Sequence, residues 1–134
     1  MDISNLLKWH FEITEEASNY LLGLVLAGKK HATASSLWAY ELDDPITHMG
    51  EMSVITYWDG TPACVVKTTN VRMLPFCDVT YDIAKLEGED DNIESWRRKH
   101  KHFFEEEGRQ KGYEFTEDMM VVFEEFEVVE VLKG

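Results

Sequence analysis

Apolar residues recur along the chain in two rhythms. Ala17, Tyr20, Leu21, Leu24 and Val25 return at intervals of three and four, the period of a helix with one buried stripe. Thr14 precedes them as an N-cap, and Glu15 and Glu16 fall in the first turn, where the helix dipole favours acids. Gly28 predicts the end of this helix, with Lys29 and Lys30 at its negative end. The same rhythm returns in Ile93, Trp96, Arg97, His100, Phe103 and Phe104, with Asp91 and Glu94 at capping-box spacing ahead of it. Gly108 to Tyr113 reads as the loop that follows. Asp78 to Leu86, apolar at Val79, Ile83, Ala84 and Leu86, predicts a short helix that the acidic turn Glu87-Gly88-Glu89-Asp90-Asp91 breaks.

The second rhythm has a period of two. Met52, Val54, Thr56 and Trp58 alternate with Ser53, Ile55 and Tyr57, and Asp59-Gly60 predicts a two-residue hairpin turn. A long returning strand puts Ala63, Val65, Lys67, Thr69, Val71 and Met73 on one side and Cys64, Val66, Thr68, Asn70 and Arg72 on the other, with Pro62 at its start. Leu74-Pro75-Phe76 ends it. Met119 to Phe123 is a continuous apolar run fit for a buried strand, and Phe126 to Leu132 a final one; Glu124-Glu125 between them predicts a bulge or a turn. His31 to Tyr40 alternates weakly and is poor in large apolar groups until Leu37 and Trp38, as the wall of a cleft or a plain edge strand would be. Glu41 to Gly50, with Asp43-Asp44-Pro45, reads as a loop. Residues 1–13 form a short helix or an extended arm packed on the body.

Four or more strands with long hairpins and three helices predict an α+β domain, and a small barrel rather than a sandwich, because the strands are too few for two full sheets. One domain over 1–134 is expected, with a core of about 14–132. A 44% hydrophobic content is enough for one real core. No apolar run reaches the length of a membrane span, and the first residues lack the basic and apolar regions of a signal peptide, so a cytoplasmic protein is expected. Cys64 and Cys77 then read as two buried thiols rather than a disulfide.

The net charge of −13 argues against bulk binding to duplex DNA, which depends on neutralising phosphates. It leaves room for a local basic cleft: Lys29, Lys30 and Arg97-Arg98-Lys99-His100-Lys101 concentrate the positive charge. No metal site or cofactor is expected. His100 and His102 point to opposite sides of a helix, and the cysteines lack ligand spacing.

The candidate chemistry gathers at the junction Gly28-Lys29-Lys30-His31-Ala32-Thr33-Ala34-Ser35-Ser36, which closes a helix and opens a strand. Bulk packing rarely needs a glycine, two lysines, a threonine and two serines at such a place. Lys30 and Thr33 are three residues apart, and Glu87 would supply an acid from far downstream; the three are expected to meet across one pocket. Ser35 and Ser36 would bind a ligand or satisfy backbone in the strand, Ser35 being the better ligand candidate, Trp38 would stack a base or pack in the core, and Glu89 would be a second carboxylate or a solvated acid. Trp96 and His100 lie one turn apart on the apolar face of the later helix, as ligand contacts or as a satisfied, partly buried pair.

These residues carry a resemblance. Gly28-x-Lys30-x-x-Thr33-x-Ser35 is similar to the signature of the ASCH domain family, which shares the PUA-like barrel. Trp38, Pro75-Phe76 followed by Ala84, Glu87-Gly88-Glu89, and Trp96 with His100, Phe103 and Phe104 resemble its bacterial stand-alone branch, and Met119 to Phe126 fits its closing strands. The resemblance covers residues 14 to 132. It implies a small mixed β-barrel flanked by helices, with a polar cleft for RNA or a nucleotide-like ligand. One branch of the family deacylates N4-acetylcytidine with a lysine base, a threonine nucleophile and a glutamate proton donor, which carry over to Lys30, Thr33 and Glu87. Another relative is described as a ribonuclease. The ligand it implies is a nucleoside or short single-stranded RNA, held by a monomer or homodimer, with Lys29, Ser35, Trp38, Glu89, Trp96 and His100 around it.

Two chemistries remain open for this trio. A lysine has an ordinary pKa of ~10.4, and bringing it near 7 to serve as a base takes about 4 kcal/mol. Burial beside Trp38 or Trp96, or a nearby Lys29 or Arg97, would do so; a close Glu87 would hold the ammonium charged. In the first case Lys30 activates Thr33 for attack on an acyl carbon. In the second it is a charged donor in a binding site.

Overall fold

The structure is a computed structural model that describes residues 2–11, 14–38 and 48–132. In chain order it contains strand β1 (Leu7–Trp9), helix α1 (Glu15–Leu26), strands β2 (Ala32–Ser36), β3 (Met52–Thr56) and β4 (Pro62–Pro75), helix α2 (Tyr81–Ala84) between two 3-10 turns (Phe76–Asp78 and Lys85–Glu87), helix α3 (Ile93–Lys111) and strand β5 (Met120–Val131). The strands form one curled sheet, a half-barrel, in the order β1-β3-β4-β5-β2. The architecture is α+β. β1 runs parallel to β3 and every other pairing is antiparallel.

Each face of the sheet carries a core. Phe123 and Phe126, three apart on one strand, belong to different clusters because a strand turns alternate side chains to opposite faces. On one face α1 lays Leu21, Leu22 and Val25 against Phe11, Ile55, Cys64, Val66 and Phe126. On the other, α3 lays Trp96 and Phe104 against Ala32, Phe76, Val79, Met119, Val121 and Phe123. α1 starts where the sequence predicts, with the Thr14 hydroxyl accepting from the Ala17 N–H at 3.2 Å. It ends at Leu26, and the backbone turns at Gly28 with φ 76°.

Several boundaries differ from the sequence reading, each for a local reason. The first residues make a turn, closed by the Leu6 N–H on the Ile3 carbonyl at 3.1 Å, rather than a helix, and Leu7–Trp9 joins the sheet as its edge, with the Trp9 indole donating to Ser53 at 3.0 Å. α3 is capped by Asn92 rather than Asp91: the Asn92 side chain accepts from the Ser95 N–H at 2.8 Å. The helix also runs through Gly108 to Lys111, because Gly108 is an approach point and not a terminator. A Cβ there would lie 2.3 Å from the Tyr113 carbonyl oxygen. The hairpin between β3 and β4 closes over Trp58, Asp59 and Gly60, three residues rather than two, with Tyr57 bonded to both Gly60 and Thr61. β5 runs unbroken through Glu124-Glu125, and the irregularity expected there falls on the facing strand, between Thr68 and Asn70 of β4. β2 stops at Ser36, short of Tyr40; residues 39–47, with most of the expected loop after it, lie outside the described residues. Cys64 is buried, and burial pushes its thiol up to about 11, whereas Cys77 is exposed and not the second buried thiol expected; both are free.

Candidate functional site

The site is made where the chain leaves α1 and enters β2. After Gly28 the N–H groups of Lys29 and Lys30 both turn back to the Leu24 carbonyl, at 2.9 and 3.1 Å, and satisfy the end of α1. This throws the Lys30 side chain inward, where 2% of the residue remains exposed. The second half arrives from the turn after α2. Gly88 has φ 71°, and a Cβ on it would stand 2.0 Å from the Lys29 carbonyl oxygen. Only a glycine allows the two backbones to meet so closely. The contact is fastened by the His31 N–H to the Leu86 carbonyl at 2.8 Å, and Glu87 and Glu89, on either side of Gly88, are thereby delivered to Lys30.

Lys30 Nζ donates to Glu87 Oε2 at 3.0 Å and to Glu89 Oε2 at 2.6 Å. The other oxygen of Glu87 accepts from Trp96 Nε1 at 2.7 Å and faces His100 Nε2 at 3.0 Å. His100 Nδ1 lies 2.9 Å from the Trp96 carbonyl oxygen, and its ring stacks on the Trp96 indole at 4.2 Å. The Phe11 ring lies 5.3 Å from the ammonium. Lys30, Glu87, Glu89 and His100 thus form one buried network at the seam between the two cores.

The electrostatics follow from competition between burial and partners. Burial alone would lower the Lys30 pKa; Glu87 and Glu89 outweigh it and hold the ammonium charged beyond its ordinary value. Burial would likewise raise Glu87, but Lys30 and His100 win and keep this carboxyl well below the usual range. Burial would lower His100, and Glu87 reverses it. Glu89 goes the other way: burial comes first, Lys30 opposes it, the nearby Glu87 carboxylate adds to it, and Glu89 is pushed up to about 7.

The remaining expected site residues are placed as follows. Lys29 is exposed, and it is its carbonyl that meets Gly88. Thr33 and Ser35, partly buried, alternate along β2 with Ala32 and Ala34, which pack on the α3 cluster, so they face the other side of the sheet. The Thr33 hydroxyl has no hydrogen bond to Lys30, Glu87 or Glu89. Trp38 lies beyond β2, 44% exposed, stacked on Tyr113 at 6.2 Å and lining a groove of about 310 Å³ with Leu37, Glu114, Thr116, Asp118, Met119 and Met120. That groove does not include the Lys30 network.

Three polar arrangements were not legible beforehand. Phe11 sits against the ammonium although nothing in the first residues signals it. Asp90 is buried and ties down the turn through Ser95 at 2.6 Å and Lys99 at 2.9 Å; in sequence it is one acid among several. Glu125 collects Asn70 and Arg72 at 2.7 Å each on the sheet face, where only a bulge or turn had been expected.

The ASCH domain family profile matches residues 7–130, nearly the whole chain. The chain belongs to the ASCH domain family. It is similar to the crystal structure of an ASCH domain from Lactobacillus crispatus, at 34% identity over 93% of this chain and 80% of that one, with a TM-score of 0.84. It is also similar to a protein of Enterococcus faecalis of known structure, at 31% identity over 98% of this chain and 80% of that one, with a TM-score of 0.89. Among curated proteins no relative matches. The ASCH fold is PUA-like and linked to RNA binding. Among the described residues of this ASCH protein, no helix is long and apolar enough to cross a membrane.

Proposed function

We propose that the chain recognises a nucleoside or the end of a short single-stranded RNA at the Lys30 network, with Lys30 as a charged donor rather than a base. The observation that carries this reading is the pair of carboxylates on one buried ammonium, at 3.0 and 2.6 Å. A lysine base must spend part of its time as a neutral amine, and two carboxylates oppose that state. A nucleophile and its base also need to be within hydrogen-bond reach, and the Thr33 hydroxyl makes no such bond to Lys30. Binding needs neither condition. It needs polar groups fixed in place by burial, which the Trp96, His100 and Gly88 contacts provide for Glu87 and Lys30.

One observation favours a hydrolytic reading. Glu89, with a pKa pushed up to about 7, holds its proton loosely enough at neutral pH to give it to a leaving amine. Under that reading Lys30, Thr33 and Glu87 act together on an acylated nucleobase amide, or on RNA.

Calorimetric titration of the folded chain with nucleosides and a short single-stranded RNA, followed by incubation with N-acylated nucleosides, separates the two. The expected result is saturable binding, with the RNA weakened at least tenfold in Lys30→Met, and no acyl release and no RNA cleavage. Absence of binding to the whole panel would overturn the recognition reading. Acyl release by the wild type that Thr33→Ala abolishes would replace it with the hydrolytic one.

A further inference from the structure

The charges of the buried network do not balance without Glu89. Both ring nitrogens of His100 face acceptors, Nδ1 the Trp96 carbonyl at 2.9 Å and Nε2 the Glu87 carboxylate at 3.0 Å. A neutral imidazole can donate from only one nitrogen, so this geometry requires the imidazolium. Lys30 is the second cation. Glu87 is the single anion lodged between them, and its two oxygens already take three donors, Lys30, His100 and Trp96. Two cations and one anion leave a surplus of one positive charge, which Glu89 neutralises when ionised.

Glu89 differs from its partners in how it is held. Its side chain is 15% exposed, against 1% for Lys30, 3% for Glu87 and 11% for His100. The chain is pinned on both sides of it, by Gly88 against Lys29 and by Asp90, whose carboxylate holds Ser95 and Lys99 and whose carbonyl accepts from Tyr81. Its side chain meets the network at Lys30 and against the Glu87 carboxyl, and rotation about its own side-chain bonds suffices to release it from both. A buried, uncompensated positive charge is costly, so Glu89 stays seated until another oxyanion takes its place.

We infer that Glu89 is a tethered plug occupying the position on Lys30 that belongs to an oxyanion of the ligand, the terminal phosphate of a nucleotide, which binds by displacing it. The inference rests on the recognition reading above and names the part of the ligand that enters the network. A phosphate oxygen replaces the Glu89 carboxylate on Lys30 Nζ, and the sugar and base remain outside. Lys99, 55% exposed at the same mouth and paired with Asp90, adds favourable charge to the approach. The groups facing Glu89 are Lys30 from the α1–β2 junction, Glu87 from its own turn, and His100 and Lys99 from α3, with Asp90 next in the chain. Glu89 gives up its proton near pH 7 and His100 above its ordinary value, and a protonated plug competes less with an anion.

The test uses three probes at constant ionic strength: a nucleoside, its 5′-monophosphate, and inorganic sulfate, whose charge is constant between about pH 5 and 8. In the wild type the monophosphate is expected to bind at least tenfold more tightly than the nucleoside. Glu89→Ala is expected to tighten monophosphate and sulfate about tenfold, and to change the nucleoside less than threefold. If Glu89→Ala does not fold, Glu89→Gln at about pH 8 carries the same expectation. Sulfate affinity in the wild type is expected to fall as the pH rises from 6 to 8, and to fall less steeply in Glu89→Gln, where His100 alone still titrates. Sulfate binding as tight as the monophosphate assigns the plug's place to a free oxyanion; tighter monophosphate binding assigns it to the nucleotide. Equal affinity for nucleoside and monophosphate, with Glu89→Ala weakening both, would overturn the plug and leave recognition standing. No binding of any probe by folded wild type and variants would overturn both.

Discussion

Glu87→Ala is expected to destabilise the folded chain by about 3–5 kcal/mol, the cost of leaving buried charge without its partner. The substitution strands three donors at once. Lys30 keeps only Glu89, the His100 imidazolium loses its carboxylate, and the Trp96 indole N–H points at nothing. All three lie among apolar neighbours in the α3 cluster or against Phe11, so water does not readily replace the lost acceptor. The size of the effect separates a buried network from an exposed ion pair, which is worth ~1 kcal/mol or less. Urea unfolding followed by circular dichroism measures it directly. Glu87→Gln keeps the shape and one acceptor oxygen and should fall between the alanine variant and the wild type. A loss below about 1 kcal/mol for Glu87→Ala would mean that the network is not closed in solution.

The second large expectation concerns pH. Glu89 titrates at about 7 when folded, against an ordinary value of 4.5. A folded-state pKa raised in this way means that the native chain holds more protons than the unfolded chain between those two values. Stability must therefore fall as the pH rises from about 4.5 to 7, by something on the order of 1–3 kcal/mol. His100, raised above 6.5, acts in the same direction: its contribution is complete below 6.5 and is lost as the pH climbs through its folded value. Glu87, held low, has the opposite sign, with a contribution present above 4.5 and lost in acid. The three together place maximum stability near pH 5 and a decline toward pH 8. Unfolding curves at about pH 5, 6, 7 and 8 should show that decline in the wild type and a shallower one in Glu89→Gln, which imitates the protonated acid. Parallel curves for the two proteins would remove Glu89 from the network's titration.

What could be seen in the sequence is what a short window encodes. α1 and α3 follow from the spacing of Leu21, Val25, Trp96 and Phe104, and β3 and β4 from alternation and the Asp59-Gly60 turn. The ion network is different in kind. That Glu87 is buried depends on Gly88 touching Lys29, fifty-nine positions away, and no local pattern marks one acid in a run of them for burial. The helix end at Lys111 was hidden because Gly108 looks like a stop, and only the contact with Tyr113 reveals a glycine needed for packing. Thr33 was paired with Lys30 by a three-residue spacing that brings side chains together on a helix, whereas Thr33 lies on a strand, where facing is set by alternation. The meeting of Glu87 with Lys30 was expected from the sequence; that both are charged follows from the distances between them and their other partners.

Everything turns on the charge of Lys30. Its side-chain amine, followed by nitrogen and ε-carbon resonances through a pH titration of the labelled chain, reports that charge without any ligand or substrate. The expected result is an ammonium with no inflection up to 10.5, the ordinary value for a lysine. An inflection between about pH 6 and 8 would contradict it, because a neutral amine at that pH is a base in waiting and not a fixed donor.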